Sequence, residues 1–85
     1  MSGKEYIELK EALLSLNLMS TPKGYNYTLQ STYRYSELTK CLLTTNWLYK
    51  WKNNGHKYEE MLKINNIVEG IQYISKEMQN YVDKN

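Results

Sequence analysis

Leu42-Leu43-Thr44-Thr45-Asn46-Trp47-Leu48-Tyr49-Lys50-Trp51 is the stretch on which the fold of this chain turns. Ser36 followed by Glu37 makes a helix start, and Leu38, Cys41, Leu42, Leu48 and Trp51 then form an apolar row at helical spacing, interrupted around residues 43–46. Asn53-Asn54-Gly55 supplies a stop, because Asn and Gly tolerate the left-handed conformation that closes a helix. Read this way, the centre of the chain is helical.

Downstream, Met61, Ile64, Val68, Ile71, Met78 and Val82 recur at steps of three, four and seven. That spacing predicts a single long amphipathic helix over residues 58–82, with Gly70 in its middle. Upstream, Ile7, Leu9, Leu13, Leu14, Leu16 and Leu18 predict a first helix over residues 5–19. Glu5, Glu8 and Glu11 lie toward its positive end. Ser20-Thr21-Pro22-Lys23-Gly24 ends that helix in a reversal. Between them Tyr25, Tyr27, Leu29, Ser31, Tyr33 and Tyr35 alternate with polar residues. This is the period of a strand or hairpin, although Tyr25, Leu29 and Tyr33 also make a helical row. The expectation is a mostly α domain over residues 1–85, with three to four helices and an extended Tyr-rich connection at residues 25–35.

At 85 residues and 10.2 kDa the chain holds one core, and a helical domain of this size gains from burial against a partner. Charge is unevenly placed. Residues 1–33 are neutral, residues 34–57 carry a net +4 through Arg34, Lys40, Lys50, Lys52 and Lys57 against Glu37, and residues 58–85 carry −2. Nine Tyr and two Trp with no Phe put a polar handle on every aromatic ring, which suits surfaces dry on one side and wet on the other. Richness in Asn, Lys, Tyr and Ile, all read from A/T-rich codons, is consistent with a mobile-element origin.

With the basic centre read as helical, residues 42–57 resemble the turn and recognition helix of helix-turn-helix proteins of the excisionase and small-repressor kind. The resemblance implies that Thr44 or Thr45 caps a recognition helix buried through Leu48 and Trp51. Thr45, Asn46, Tyr49, Lys50, Lys52 and Lys57 would then reach bases and phosphates, in a dimer formed through residues 58–82. Leu42 stands where that motif usually has Gly, and Leu38 where it has a small residue.

Catalytic and metal chemistry find no support in the residue inventory. His56 is the only histidine and Cys41 the only cysteine, too few for a structural zinc site, and no Gly-rich phosphate loop is present. Cys41 is expected to be a packed thiol, and its solitude points to a reducing, cytoplasmic compartment, that of a bacterial host if the chain is mobile-element-encoded. No apolar run approaches the ~20 residues that span a bilayer. The leading expectation is therefore a non-catalytic regulator or inhibitor, without cofactor, metal or small-molecule substrate. It would dock on a protein partner, such as a host or defence protein, through Tyr25, Tyr27, Tyr33, Tyr35 and Tyr49. DNA binding is the alternative.

Overall fold

The computed structural model describes residues 1–82; Asp83 and Lys84, counted in the acidic end, lie outside them. Helix α1 spans Gly3–Ser20 and opens on a capping box. The Ser2 hydroxyl accepts from the Glu5 N–H at 3.1 Å, and the Glu5 carboxylate accepts from the Ser2 N–H at 3.0 Å. Those bonds hold the Glu5 carboxyl below its ordinary pKa. Leu9, Leu13 and Leu16 form the buried stripe of α1. A short turn over Thr21–Lys23 and Gly24, at φ 100°, then reverse the chain where the sequence places the stop.

Strands β1 (Tyr25–Ser36), β2 (Cys41–Lys52) and β3 (Tyr58–Ile64) follow as an antiparallel meander in the order β1-β2-β3. Helix α2 (Ile67–Gln79) closes the described chain. The fold is thus α+β, and the mostly α expectation of three to four helices is corrected. Residues 25–35 are a strand, and their partner is the very segment read as a recognition helix.

Long-range pairing overturns the helical reading of residues 36–52. β1 and β2 pair in register from Tyr25 opposite Lys52 to Ser36 opposite Cys41, twelve residues of each strand, with alternate residues bonding their backbones across the ladder. Thr44, Thr45, Trp47, Tyr49 and Trp51 are residues that strands favour. The long helix over residues 58–82 is corrected too, for its first third pairs with β2 as β3. Asn66 then caps α2, its side-chain oxygen accepting from the Glu69 N–H at 3.0 Å.

Both helices pack on one face of the sheet. Leu9, Leu13 and Leu16 of α1 and Ile74 of α2 meet Tyr27, Leu48 and Ile64 there, with Leu29, Leu62, Ile71 and Tyr73 around them. β3 stops pairing at Ile64 opposite Asn46, so residues 32–36 and 41–45 run on as a two-stranded arm. That arm shapes the molecule: its extents are 54 × 28 × 15 Å. The radius of gyration is 14.5 Å, against about 12 Å for a compact domain of this length. No described helix is long and apolar enough to cross a membrane.

Candidate functional site

Alternation along β2 sorts its side chains onto two faces. Leu48 and Lys50 point to the helices, whereas Leu43, Thr45, Trp47, Tyr49 and Trp51 point away from them onto a sheet face that no described element covers. Trp51 donates its indole N–H to the Thr28 hydroxyl at 2.9 Å, and Trp47 donates to the Thr32 hydroxyl at 3.3 Å. Each indole is therefore tied across to β1. Tyr58 of β3 joins them, its ring 5.1 Å from Tyr49 and 5.9 Å from Trp51, and the Tyr49 and Trp51 rings lie 6.0 Å apart. Met61, opposite Tyr49, extends the patch. A row of three aromatic residues on a central strand, fixed by neighbours on both sides, is a preorganised apolar surface with polar tips.

The arm presents a second group of exposed side chains. Tyr33 and Tyr35 are 65% and 59% exposed, Leu42 lies opposite Tyr35 on β2, and Leu38 at the tip is 98% exposed. Glu37–Lys40 forms that tip, with Lys40 in the left-handed region at φ 53°.

A third cluster is internal. Glu77, buried on α2, receives the Tyr27 and Tyr73 hydroxyls at 3.2 Å each and the Asn80 amide at 2.8 Å. Lys50 lies 3.3 Å from it. Tyr27 and Tyr81 share a hydrogen bond of 2.7 Å, and Tyr73 also donates to Glu60 at 3.0 Å. Burial pushes the Tyr27 and Tyr73 hydroxyls far above the ordinary phenol range, reinforced by the Tyr81 and Glu60 hydrogen bonds and by Glu77. Burial pulls the Lys50 pKa down, but the Glu77 charge and hydrogen bond outweigh it and the net direction is up. These phenols are held protonated and their polar atoms are partnered, so the cluster pins α2 to the sheet rather than arming a nucleophile.

The residues singled out in the sequence fall in three places. Tyr33 and Tyr35 are on the arm and Tyr49 on the open face. Tyr25 packs against the core edge with the Lys50 ammonium 4.8 Å over its ring. Tyr27, at 2% exposure, is inside and is corrected from partner anchor to core residue. The DNA-reading set does not converge. Thr45 and Tyr49 face outward, while Asn46 bonds Ser31 on the helix side at 2.7 Å and Lys50 is tied to Glu77. Lys52 pairs with Glu59 at 3.3 Å, and Lys57 lies in the loop before β3. A strand spreads to two faces what a helix would gather on one.

Trp51 and Met61, read as apolar positions of helices, and Trp47 and Tyr58, given no role, are the surface residues that sequence reading missed. For the two Trp the signal was the period-two row Leu43, Thr45, Trp47, Tyr49, Trp51, of which Tyr58 and Met61 are no part. Cys41 is exposed at the arm, so its expected burial is also corrected. Among the described residues no three His, Cys, Asp or Glu side chains are grouped to hold a metal.

No family model, curated protein or solved structure matches this chain.

Proposed function

We propose that this protein is a non-catalytic regulator that acts by binding another protein through the open sheet face of Trp47, Tyr49, Trp51, Tyr58 and Met61. The observation that carries the reading is the coincidence of an uncovered sheet face with a fixed aromatic row, where Trp and Tyr contribute most per residue to protein interfaces. Occlusion of a partner's site by that face fits a small inhibitor of a host or defence protein. The exposed single thiol of Cys41 suits a reducing, cytoplasmic setting. The test is titration of a partner captured from the source cell and then purified. Trp47→Thr with Tyr49→Thr keeps β-favouring residues in β2 while removing two rings. Loss of an anchor pair should weaken binding by about 30-fold or more. Equal affinity of the double variant, folded by circular dichroism, overturns the reading; Leu14→Lys on α1 serves as the control expected to bind normally.

A second reading rests on the charge of the same face. The outward positions of β1 and β2, with Met61 and Lys63 of β3, include no carboxylate, while Arg34 and Lys63 flank the rings. Aromatic platforms with cations beside them stack single-stranded nucleic acid. Anisotropy of a single-stranded oligonucleotide at about 50 and 200 mM salt separates the two, since phosphate contacts make affinity fall steeply with salt. Salt-sensitive binding lost in the Trp47→Thr, Tyr49→Thr variant selects this reading; no binding at either salt eliminates it.

A further inference from the structure

β1 is an edge strand of twelve residues without a proline or a lysine, devices that commonly keep such an edge from pairing with another chain. In an antiparallel ladder, alternate residues turn both backbone groups toward one neighbour and the residues between turn theirs away. Tyr27 shows the phase. Its N–H donates to the Asn17 side-chain oxygen at 2.7 Å, and its C=O accepts from the Asn17 amide at 2.9 Å, so Tyr27 faces the free edge and one carboxamide imitates a pairing strand there. Leu29, Ser31, Tyr33 and Tyr35 share that phase. Among the described residues no helix or loop forms a backbone bond to these four.

The four free positions are symmetric about Thr32. We propose that two copies of this chain pair antiparallel along β1, with the two-fold axis at Thr32, joining their sheets into one of six strands. Leu29 then stands opposite Tyr35 of the second copy and Ser31 opposite Tyr33, each pair exchanging both backbone hydrogen bonds. A shift of the axis to Ser31 or Tyr33 would press a free position against Tyr27, which Asn17 already closes, or against the tip. On the outward face Gln30 meets Arg34, Thr28 meets Ser36 and Thr32 meets itself, so no like charges stand opposed.

The same register accounts for an unrelated exposure. Continuing past Tyr35, the tip of one copy reaches the level of Tyr27 and Asn17 in the other, at the end of α1 where Leu18 is 73% exposed. Leu38, with 98% of its surface open, gains an apolar neighbour there. This inference does not depend on what the aromatic face binds; it doubles that face within one assembly.

Sedimentation equilibrium of the full chain, from micromolar to submillimolar, should give twice the 10.2 kDa mass. Thr32→Lys sets two ammonium groups against each other on the axis and should return the mass to that of one chain, with circular dichroism unchanged. In a Cys41→Ser background, Thr32→Cys should cross-link rapidly under mild oxidation, whereas Gln30→Cys should cross-link slowly because its counterpart is displaced along the strand. A single-chain mass at every concentration overturns the proposal. So does a dimer indifferent to Thr32→Lys in which the two cysteine variants oxidise at the same rate.

Discussion

Glu77 shows what a single charge does in the interior of a small domain. It is buried, and its partner Lys50 keeps only 15% of its side-chain surface, so this is an ion pair largely withdrawn from water. Glu77→Ala takes away the carboxylate in contact with Lys50 and leaves its half-buried ammonium only the more distant charge of Glu60, and the expected loss is about 3 kcal/mol of stability. Urea denaturation of Glu77→Ala, Lys50→Met and the double variant measures it. Because the second substitution removes the stranded charge, the double variant should lose less than the two singles together. The same cluster sets the alkaline limit. Unfolded tyrosine ionises near pH 10, while folded Tyr27 and Tyr73 hold their protons well above that. The unfolded chain therefore binds fewer protons above about pH 10, and stability falls as pH rises through that region. Lys50, raised by Glu77, acts in the same direction: its contribution is complete below the unfolded lysine value and is lost as pH climbs through the folded one. Tyrosinate absorbance and circular dichroism followed together against pH should show Tyr27 and Tyr73 ionising only with loss of the helical signal.

At the scale of elements, α1 was legible from its stripe and its stop, whereas the cap at Ser2 went unread and the start was placed at residue 5 instead of Gly3. The Ser2–Glu5 box, Leu9-Leu13-Leu16 and Pro22-Gly24 are local signals that need no distant partner. β1 was legible as extended for the same reason, its alternation being complete within twelve residues. β2 was not, because a central strand with Leu48 toward the helices and Trp47, Tyr49 and Trp51 away from them has large residues on both sides. Its apolar positions then mimic steps of three and four. The turn at Glu37–Lys40 adds no Gly, Pro or Asn to mark a hairpin, and Lys40 supplies the left-handed position itself. β3 was absorbed into a helix because Met61 and Ile64 are three apart, whereas its pairing with β2 lies in another part of the chain. Asn66 with Glu69 three residues on was the overlooked start of α2. Gly70 marks where the helices touch. A Cβ there would lie 2.7 Å from Leu9 Cδ1 and 3.3 Å from Cδ2, and Leu9 is fully buried. Gly70→Ala gains about 1 kcal/mol of helix propensity but overpacks the contact by more, so a net loss of about 1 kcal/mol is expected. Leu9→Val should absorb part of it, and a double-mutant cycle in urea reads the coupling.

Over the whole molecule, the separation of a packed body from a projecting arm decides what each part can be asked to do. The body holds the shared core of both helices and the three-stranded end of the sheet, whereas an unsupported two-stranded ribbon is marginal in water by itself. The arm therefore contributes little to folding and offers exposed Tyr33, Tyr35, Leu38 and Leu42 to whatever covers it. Of the exposed side chains, Tyr33 and Tyr35 on the arm and Tyr49 on the open face were named from the sequence. The open aromatic face was not, because it exists only once β2 is placed between β1 and β3. Replacement of residues 33–44 by Asn-Gly separates these roles cleanly. Thr32 opposite Thr45 is in the phase that bonds across β1 and β2, so a two-residue turn closes there without strain. The shortened chain should keep the circular dichroism of the parent and melt within a few degrees of it. Its radius of gyration in solution should fall to about 11 Å, that of a compact domain of its length. A shortened chain that unfolds would instead make the arm part of the folding unit, with its exposed side chains answering to stability rather than to a binding partner.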